Sequence, residues 1–149
     1  MPNDGNMKAI RVVLASDHAG FMLKEKIKEF LIKKRKKVLD LGAKNTNSVD
    51  YPDLGHLLAK KMKNNNNNFG ILVCGSGIGM SMTANRHKNI RAALCYNVRS
   101  AKLSRKHNNA NVMTIGSRLT KKNVALKSVK AFLDTKFEGG RHLRRVKKI

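Results

Sequence analysis

The 149-residue sequence has no tryptophan, two tyrosines and five phenylalanines. So few rings cannot build the stacking platform on which single-stranded nucleic acid is held. Acidic residues are scarce as well. Nine Asp and Glu stand against 32 Lys and Arg, a formal charge of +23. A field of that size draws phosphates, nucleic acid and anionic membranes alike, and so selects none of them. Twenty-two of the cations are lysine, and asparagine rises with them to 16, including the run at 64–68. Joint enrichment of that kind reads as drift in surface composition, so nucleic acid is expected only as a non-specific, charge-driven contact.

No apolar run approaches the roughly 20 residues that a membrane-spanning helix needs, and no membrane association is expected. The opening "MPNDGNMKAI" lacks the apolar segment of a secretory leader. Met7 reads as a start, which makes 1–6 an N-terminal extension and 7–149 a single domain, long enough for one core. The two cysteines, Cys74 and Cys95, each lie in an apolar, strand-like stretch. That pattern does not fit a disulfide framework and suits a reducing cytoplasm.

What is present is alternation. Apolar runs at 9–15, 37–42, 69–74, 90–96 and 111–116 predict five strands. Between them, helical periodicity is expected over 21–37 (Leu23, Ile27, Phe30 and Leu31 inward, lysines elsewhere) and 53–63 (Leu54, Leu57, Leu58 and Met62 inward). Further helices are expected from Gly79 to Arg86, over 98–107, and over 120–134 with Val124, Leu126, Val129, Phe132 and Leu133 inward. Continuous apolar strands alternating with helices imply an α/β fold: a five-stranded parallel sheet covered on both faces. Ligands bind such sheets beyond the carboxyl ends of the strands. Strand one ends in Ser16-Asp17-His18, strand three in Cys74-Gly75-Ser76-Gly77 and strand five in Gly116-Ser117-Arg118, so all three loaded ends fall on one rim.

The second of these, in "ILVCGSGIGMS", puts Gly75, Gly77 and Gly79 between a strand and a helix. Such a turn directs backbone amides inward and brings up the positive end of the helix, a cradle for a phosphate or a developing oxyanion. A plain tight turn over a buried cysteine is the competing reading. A dinucleotide loop fits badly: the third glycine is misplaced, and Cys95 and Tyr96 stand where the ribose-binding acid belongs. Beside a helix N-terminus in a cationic field, a thiol is disposed to act as thiolate, nucleophile or base. His107, just before strand five, is a possible activating partner.

The other histidines carry less. His56 reads as a helix-surface or packing residue, and His87 as an inert turn residue. His18, after Asp17 at a strand end, is compatible with a simple helix cap. His107 and His142 lie in polar clusters. Neither the cysteines nor the histidines offer three ligands at metal-binding spacing, so no metal site is expected. In the tail, Arg141 and Arg145 share a face if the segment is helical, a two-armed phosphate clamp; a frayed basic terminus is the alternative.

Taken together, "SDHAGFMLKEKI", "DYPD", "CGSGIGMSMTANR", "RSAKLSRKHNNANVMTIGSR" and "FEGGRHLRRV" resemble the type B ribose-5-phosphate isomerases, in the wider family that includes the galactose-6-phosphate isomerase subunits. The resemblance runs from Met7 to Ile149. It implies a Rossmann-like three-layer α/β sandwich that acts without cofactor or metal, as a homodimer or dimer of dimers with each active site shared between subunits. By motif, Cys74 resembles the base that moves the proton between C2 and C1. Some members use a Glu in the following turn instead, and Met80 holds that place here. Ser76 and the amides around Gly75, Gly77 and Gly79 resemble the anion hole for the enediolate.

His107 with Asp17 resembles the ring-opening pair, and Asn108 the residue that holds the intermediate. His18, Arg118, Arg141 and Arg145 resemble the phosphate ligands, while Tyr51 and Asn85 fall in motifs near the sugar. In the galactose-6-phosphate branch the Cys-Gly loop and the His-Asn-Asn segment are divided between two subunit types. This chain carries both, which favours a ribose-5-phosphate isomerase and leaves six-carbon sugar phosphates as the alternative.

Overall fold

A computed structural model describes residues 10–63 and 67–149. The N-terminal extension expected at 1–6 lies outside the described residues, as does most of the asparagine run. The chain order is β1 (Arg11–Ser16), α1 (Phe21–Lys33), β2 (Lys37–Asp40), α2 (Tyr51–Met62), β3 (Asn68–Cys74), α3 (Ile78–Ala84), β4 (Ala92–Leu94), α4 (Val98–Asn108), β5 (Val112–Gly116), α5 (Lys122–Asp134) and α6 (Arg141–Val146). All strand pairs are parallel, in the order β2-β1-β3-β5-β4.

Side chains alternate across a strand, so each strand feeds both helical layers. Val12, Leu14, Ile71, Val73, Met113 and Ile115 pack with Leu23, Ile27 and Leu31 of α1 and with Ala125, Val129 and Phe132 of α5. Val13, Ala15, Leu72 and Cys74 face the other way, against Leu58, Ala59 and Met62 of α2 and Met80 and Ala84 of α3. The result is the expected three-layer sandwich. Cys74 is the last residue of the central strand and belongs to the layer beneath α2 and α3.

Several boundaries and facings differ from the sequence expectation, each for a local reason. Helix α1 stops at Lys33 because the chain reverses through Arg35, whose φ is +59°, to start β2. Strand β4 is short because Arg91 N–H is taken by the Asn111 side chain at 2.8 Å, before ladder pairing begins. Leu57, expected inward, is exposed; Gly55, Leu58, Ala59 and Met62 form the buried stripe of α2.

Lys24, expected in solvent, is 1% exposed. Its Nζ reaches both Asp40 oxygens at 2.8 and 2.7 Å. Burial alone would raise the Asp40 pKa. Hydrogen bonds from Lys24, the Gly42 amide and Lys28 outweigh it and hold the carboxyl below its ordinary value. The basic tail is helical: α6 follows Gly139 and Gly140, both at positive φ, and sets Arg141 and Arg145 four residues apart on one face.

Candidate active site

The carboxyl ends of β1, β3 and β5 surround a cavity of about 590 Å³ lined by Asp17, His18, Tyr51, Cys74, Gly75, Ser76, Gly79 and Arg118. Gly77, the N-cap of α3, has φ +78°, and a Cβ there would come within 2.6 Å of Leu94 Cδ1 and 2.9 Å of the Ile115 carbonyl carbon. Only glycine makes this turn. It carries the chain so that Gly77 N–H donates to Cys74 Sγ at 3.2 Å, while Ile78 N–H donates to Ser76 Oγ at 3.2 Å. Two amides of the expected anion cradle are thus turned onto side chains of the loop itself. One of them is aimed at the sulfur, where it solvates negative charge when the thiol gives up its proton.

The neighbouring ends are held in register with this loop. Ser117 Oγ donates to Ala19 O at 2.8 Å, tying strand five to strand one. Asp17 is 6% exposed and its Oδ1 accepts from Gly20 N–H at 2.9 Å, so one oxygen closes the turn that leads into α1. Val49 N–H donates to His18 Nδ1 at 3.1 Å. The Val49 carbonyl lies 3.2 Å from the same nitrogen, so the Val49 backbone holds the ring through Nδ1. Arg118 lies across Gly75, where a Cβ would sit 3.0 Å from Nη1; the Tyr51 ring lies on Gly79, where a Cβ would sit 2.5 Å from Cε2. Both glycines are there for close approach. An arginine, an imidazole and a thiol share one hollow.

The remaining sequence candidates are elsewhere. Helix α4 starts at the carboxyl rim and carries His107 and Asn108 back to the opposite edge of the sheet, about 16 Å away for 11 residues. There His107 stacks on His142, with ring centroids 4.3 Å apart and an interplanar angle of 11°. Both direct Nε2 at Glu138 Oε1, at 3.7 and 3.5 Å. Within one chain the carboxylate beside His107 is therefore Glu138, and Asp17 belongs to the other cluster.

Arg141 and Arg145 on α6 complete this second cluster. Desolvation, then His107 and Arg141, lower the His142 pKa below the ordinary imidazole value against the pull of Glu138. Asn85 is occupied: Nδ2 donates to Ala92 O at 2.9 Å and Oδ1 accepts from Ala92 N–H at 2.8 Å, which fastens the end of α3 to β4.

Two groupings were missed by the sequence reading. His87 is not inert: its Nε2 lies 2.7 Å from His56 Nδ1. His107, Glu138 and His142 place ligand-type atoms within 4.8 Å of one another, a triad that could hold a metal ion. Counting only histidines and cysteines had hidden it, because Glu138 supplies the third atom.

A parallel α/β sandwich that sets a thiol beside an arginine and an imidazole at its carboxyl rim defines a class of enzyme, one that moves protons on small phosphorylated substrates. More closely, the chain belongs to the Ribose/Galactose Isomerase family, which it matches over residues 12–149. It is similar to the ribose 5-phosphate isomerase B of Anaplasma phagocytophilum, with 47% identity, a TM-score of 0.89, and coverage of 97% of this chain and 99% of that one. A ribose 5-phosphate isomerase of Thermotoga maritima is 46% identical, with a TM-score of 0.91 and coverage of 95% and 97%. The ribose-5-phosphate isomerase B of Mycoplasma genitalium, solved with bound ribulose-5-phosphate, is 43% identical, with a TM-score of 0.90 and 93% coverage of each chain.

Proposed function

We propose that this chain interconverts ribose 5-phosphate and ribulose 5-phosphate as a cytoplasmic homodimer or dimer of dimers whose active sites are shared between subunits. The observation that carries this reading is the Cys74 sulfur, held by Gly77 N–H in the same hollow as His18 and Arg118. The phosphate is held by His18 Nε2 and Arg118, with Arg141 and Arg145 arriving from the second subunit. His107 moves the proton between O1 and the ring oxygen as the furanose opens. Cys74, as thiolate, removes the proton from C2. The C1 carbonyl oxygen gains negative charge as the enediolate forms, and Ser76 with the loop amides stabilises it. Return of the proton to C1, with transfer of the O2 proton to O1, yields the ketose.

The shared site rests on the separation of the two clusters, and on Ile78, Met82 and Leu119, which are 46%, 68% and 71% exposed around the hollow. Apolar side chains gathered at a rim are what a second subunit covers. Both cysteines are free, which suits a reducing compartment. The test is complementation. Cys74→Ala and His107→Ala proteins, each nearly inactive alone on ribose 5-phosphate, are denatured together, refolded and assayed on that substrate. Random pairing makes half the dimers mixed, and each mixed dimer holds one intact site of two, so about a quarter of wild-type activity returns. A wild-type protein inert on ribose 5-phosphate overturns the reaction. No recovery from two correctly folded parents, when refolded wild-type protein regains its activity, overturns the sharing alone.

A further inference from the structure

At the edge of the sheet opposite Cys74 lies a second cavity, of about 690 Å³, between the ends of α2 and α4 and the starts of β3, β4 and β5. Parallel α/β sheets ordinarily place ligands at the other edge. This cavity is lined by Lys63, Lys88, Arg91 and Arg105, and no acidic residue lines it. Among the described residues no ion pair includes any of the four.

The two arginines converge on one residue. Arg91 Nε donates to the Asn109 carbonyl at 2.8 Å, and Arg105 Nη1 to the Asn109 side chain at 3.0 Å. Arg105 is 8% exposed and lies over the Phe69 ring, 4.8 Å from its centroid. Burial lowers the pKa of both guanidiniums from the ordinary arginine value, and Arg91 lowers that of Arg105 further. Two partly buried like charges side by side, with no carboxylate among the described residues, lack a counter-ion there.

Asn68 supplies an independent observation. It lines the same cavity and is 3% exposed, yet among the described residues neither Nδ2 nor Oδ1 has a hydrogen-bond partner. Each buried polar group left unmade destabilises the protein, so a side chain of this kind needs an occupant to complete it. Nδ2 needs an acceptor, which a phosphate oxygen provides, and the same phosphate supplies the negative charge that the two guanidiniums lack. Oδ1 needs a donor, which a bare inorganic anion lacks and a hydroxyl provides.

We propose that this cavity is a second binding site, separate from the Cys74 hollow, for a small organic phosphate that carries hydroxyl groups. The phosphate sits against Arg91 and Arg105, with Lys63 and Lys88 at the mouth, and a ligand hydroxyl donates to Asn68 Oδ1. The proposal is independent of the isomerase reading, because no residue of the cavity takes part in that chemistry.

Calorimetric titration with glycerol 3-phosphate tests it, in buffer of about 150 mM salt so that loose surface binding is screened. Wild-type protein is expected to bind two equivalents per chain. Arg118→Ala loses one. Asn68→Asp, which installs the missing carboxylate beside the guanidiniums, loses the other and keeps isomerase turnover, showing that the fold is intact. If Asn68→Asp does not fold, Lys63→Glu with Lys88→Glu, both at exposed positions, must weaken that same equivalent at least tenfold. A single equivalent that none of these cavity substitutions alters overturns the site. Inorganic phosphate binding there as tightly as glycerol 3-phosphate overturns the hydroxylated ligand class.

Discussion

The backbone amide of Gly77 points at the sulfur of Cys74 from 3.2 Å, inside the layer that packs beneath α2 and α3. The sulfur is both the last core atom of β3 and the first reactive atom of the hollow. Cys74→Ala is expected to keep the fold and lower kcat by roughly 10²–10⁴-fold with little change in KM, the range for a lost acid–base group. Iodoacetamide should inactivate the enzyme at this thiol and substrate should protect it. Cys95 is the internal control: burial pushes its pKa up to about 11, and it should stay unlabelled on peptide mapping. Near-normal turnover by a folded Cys74→Ala protein would remove Cys74 from the mechanism.

How much of this was legible beforehand follows from how local each feature is. The Cys74 loop is contiguous, so its glycines, thiol and helix start could be read together. Three strand ends on one rim followed from the parallel alternation. The separation of His107 from Asp17 did not, because it depends on the direction in which α4 carries His107 away from the rim. His56 and His87 are 31 residues apart, and only the packing of α2 beside α3 joins them. Lys24 sits one residue after Leu23 on an amphipathic helix, and its burial was decided by Asp40 on the neighbouring strand, a partner no periodicity reveals.

That buried ion pair is asymmetric, and so should be its mutational response. Asp40 is 18% exposed at its side chain and keeps Lys28 at 3.1 Å and Gly42 N–H at 2.9 Å if Lys24 is lost. Lys24, at 1%, keeps among the described residues one carboxylate, the half-exposed Glu25 at 3.2 Å, and the Phe21 ring at 5.3 Å if Asp40 is lost. Breaking a buried pair from the side that strands the buried charge costs about 3–5 kcal/mol, whereas an apolar replacement of the buried member is often close to neutral. Asp40→Asn should therefore lower the urea midpoint far more than Lys24→Met does. Equal losses would show that the pair acts as a unit, and a larger loss for Lys24→Met would reverse the argument.

The His56–His87 contact predicts a pH dependence of stability. At 2.7 Å one ring must donate and the other accept, so both cannot be protonated. Desolvation, then the charges of His56 and Lys60, lower the His87 pKa below its ordinary 6.5. With the folded value below the unfolded one, the unfolded chain takes up a proton first as pH falls. The stability from the neutral pair is present above about pH 6.5 and is lost as pH drops through the folded value. The melting temperature should decline across that window, and His87→Gln should flatten part of the decline while lowering stability at neutral pH. His142 shifts in the same direction, so some slope should remain. An unchanged slope in His87→Gln would mean that the pair does not titrate on unfolding.

The proposed chemistry needs no metal, although His107, Glu138 and His142 could hold one. Proton transfer through Cys74 and charge stabilisation by the loop leave no step for a Lewis acid to supply. Activity is expected to survive exhaustive EDTA treatment. Loss on chelation, restored by a divalent ion, would assign the triad a metal and recast the role of His107.

Phosphate binding and chemistry should separate kinetically between Arg141 and His107, although both lie in one cluster. The phosphate keeps its charge through the reaction, so its ligands hold ground and transition states alike. Losing one raises KM and spares kcat. A charged hydrogen bond contributes about 1.5–3 kcal/mol, which sets the expected rise in KM for Arg141→Ala or Arg145→Ala at roughly 10–150-fold. His107 acts on the ring oxygen, which exists only in the furanose. His107→Ala should therefore be slow on ribose 5-phosphate but closer to normal in the early rate on ribulose 5-phosphate, which has no ring to open. Both directions must be measured under initial-rate conditions, since the open aldose formed from the ketose can still close unaided. If Arg141→Ala and His107→Ala show the same profile in both directions, the division of labour fails. If neither alters turnover, the second cluster is a structural end of the fold, and the complementation test should fail with it.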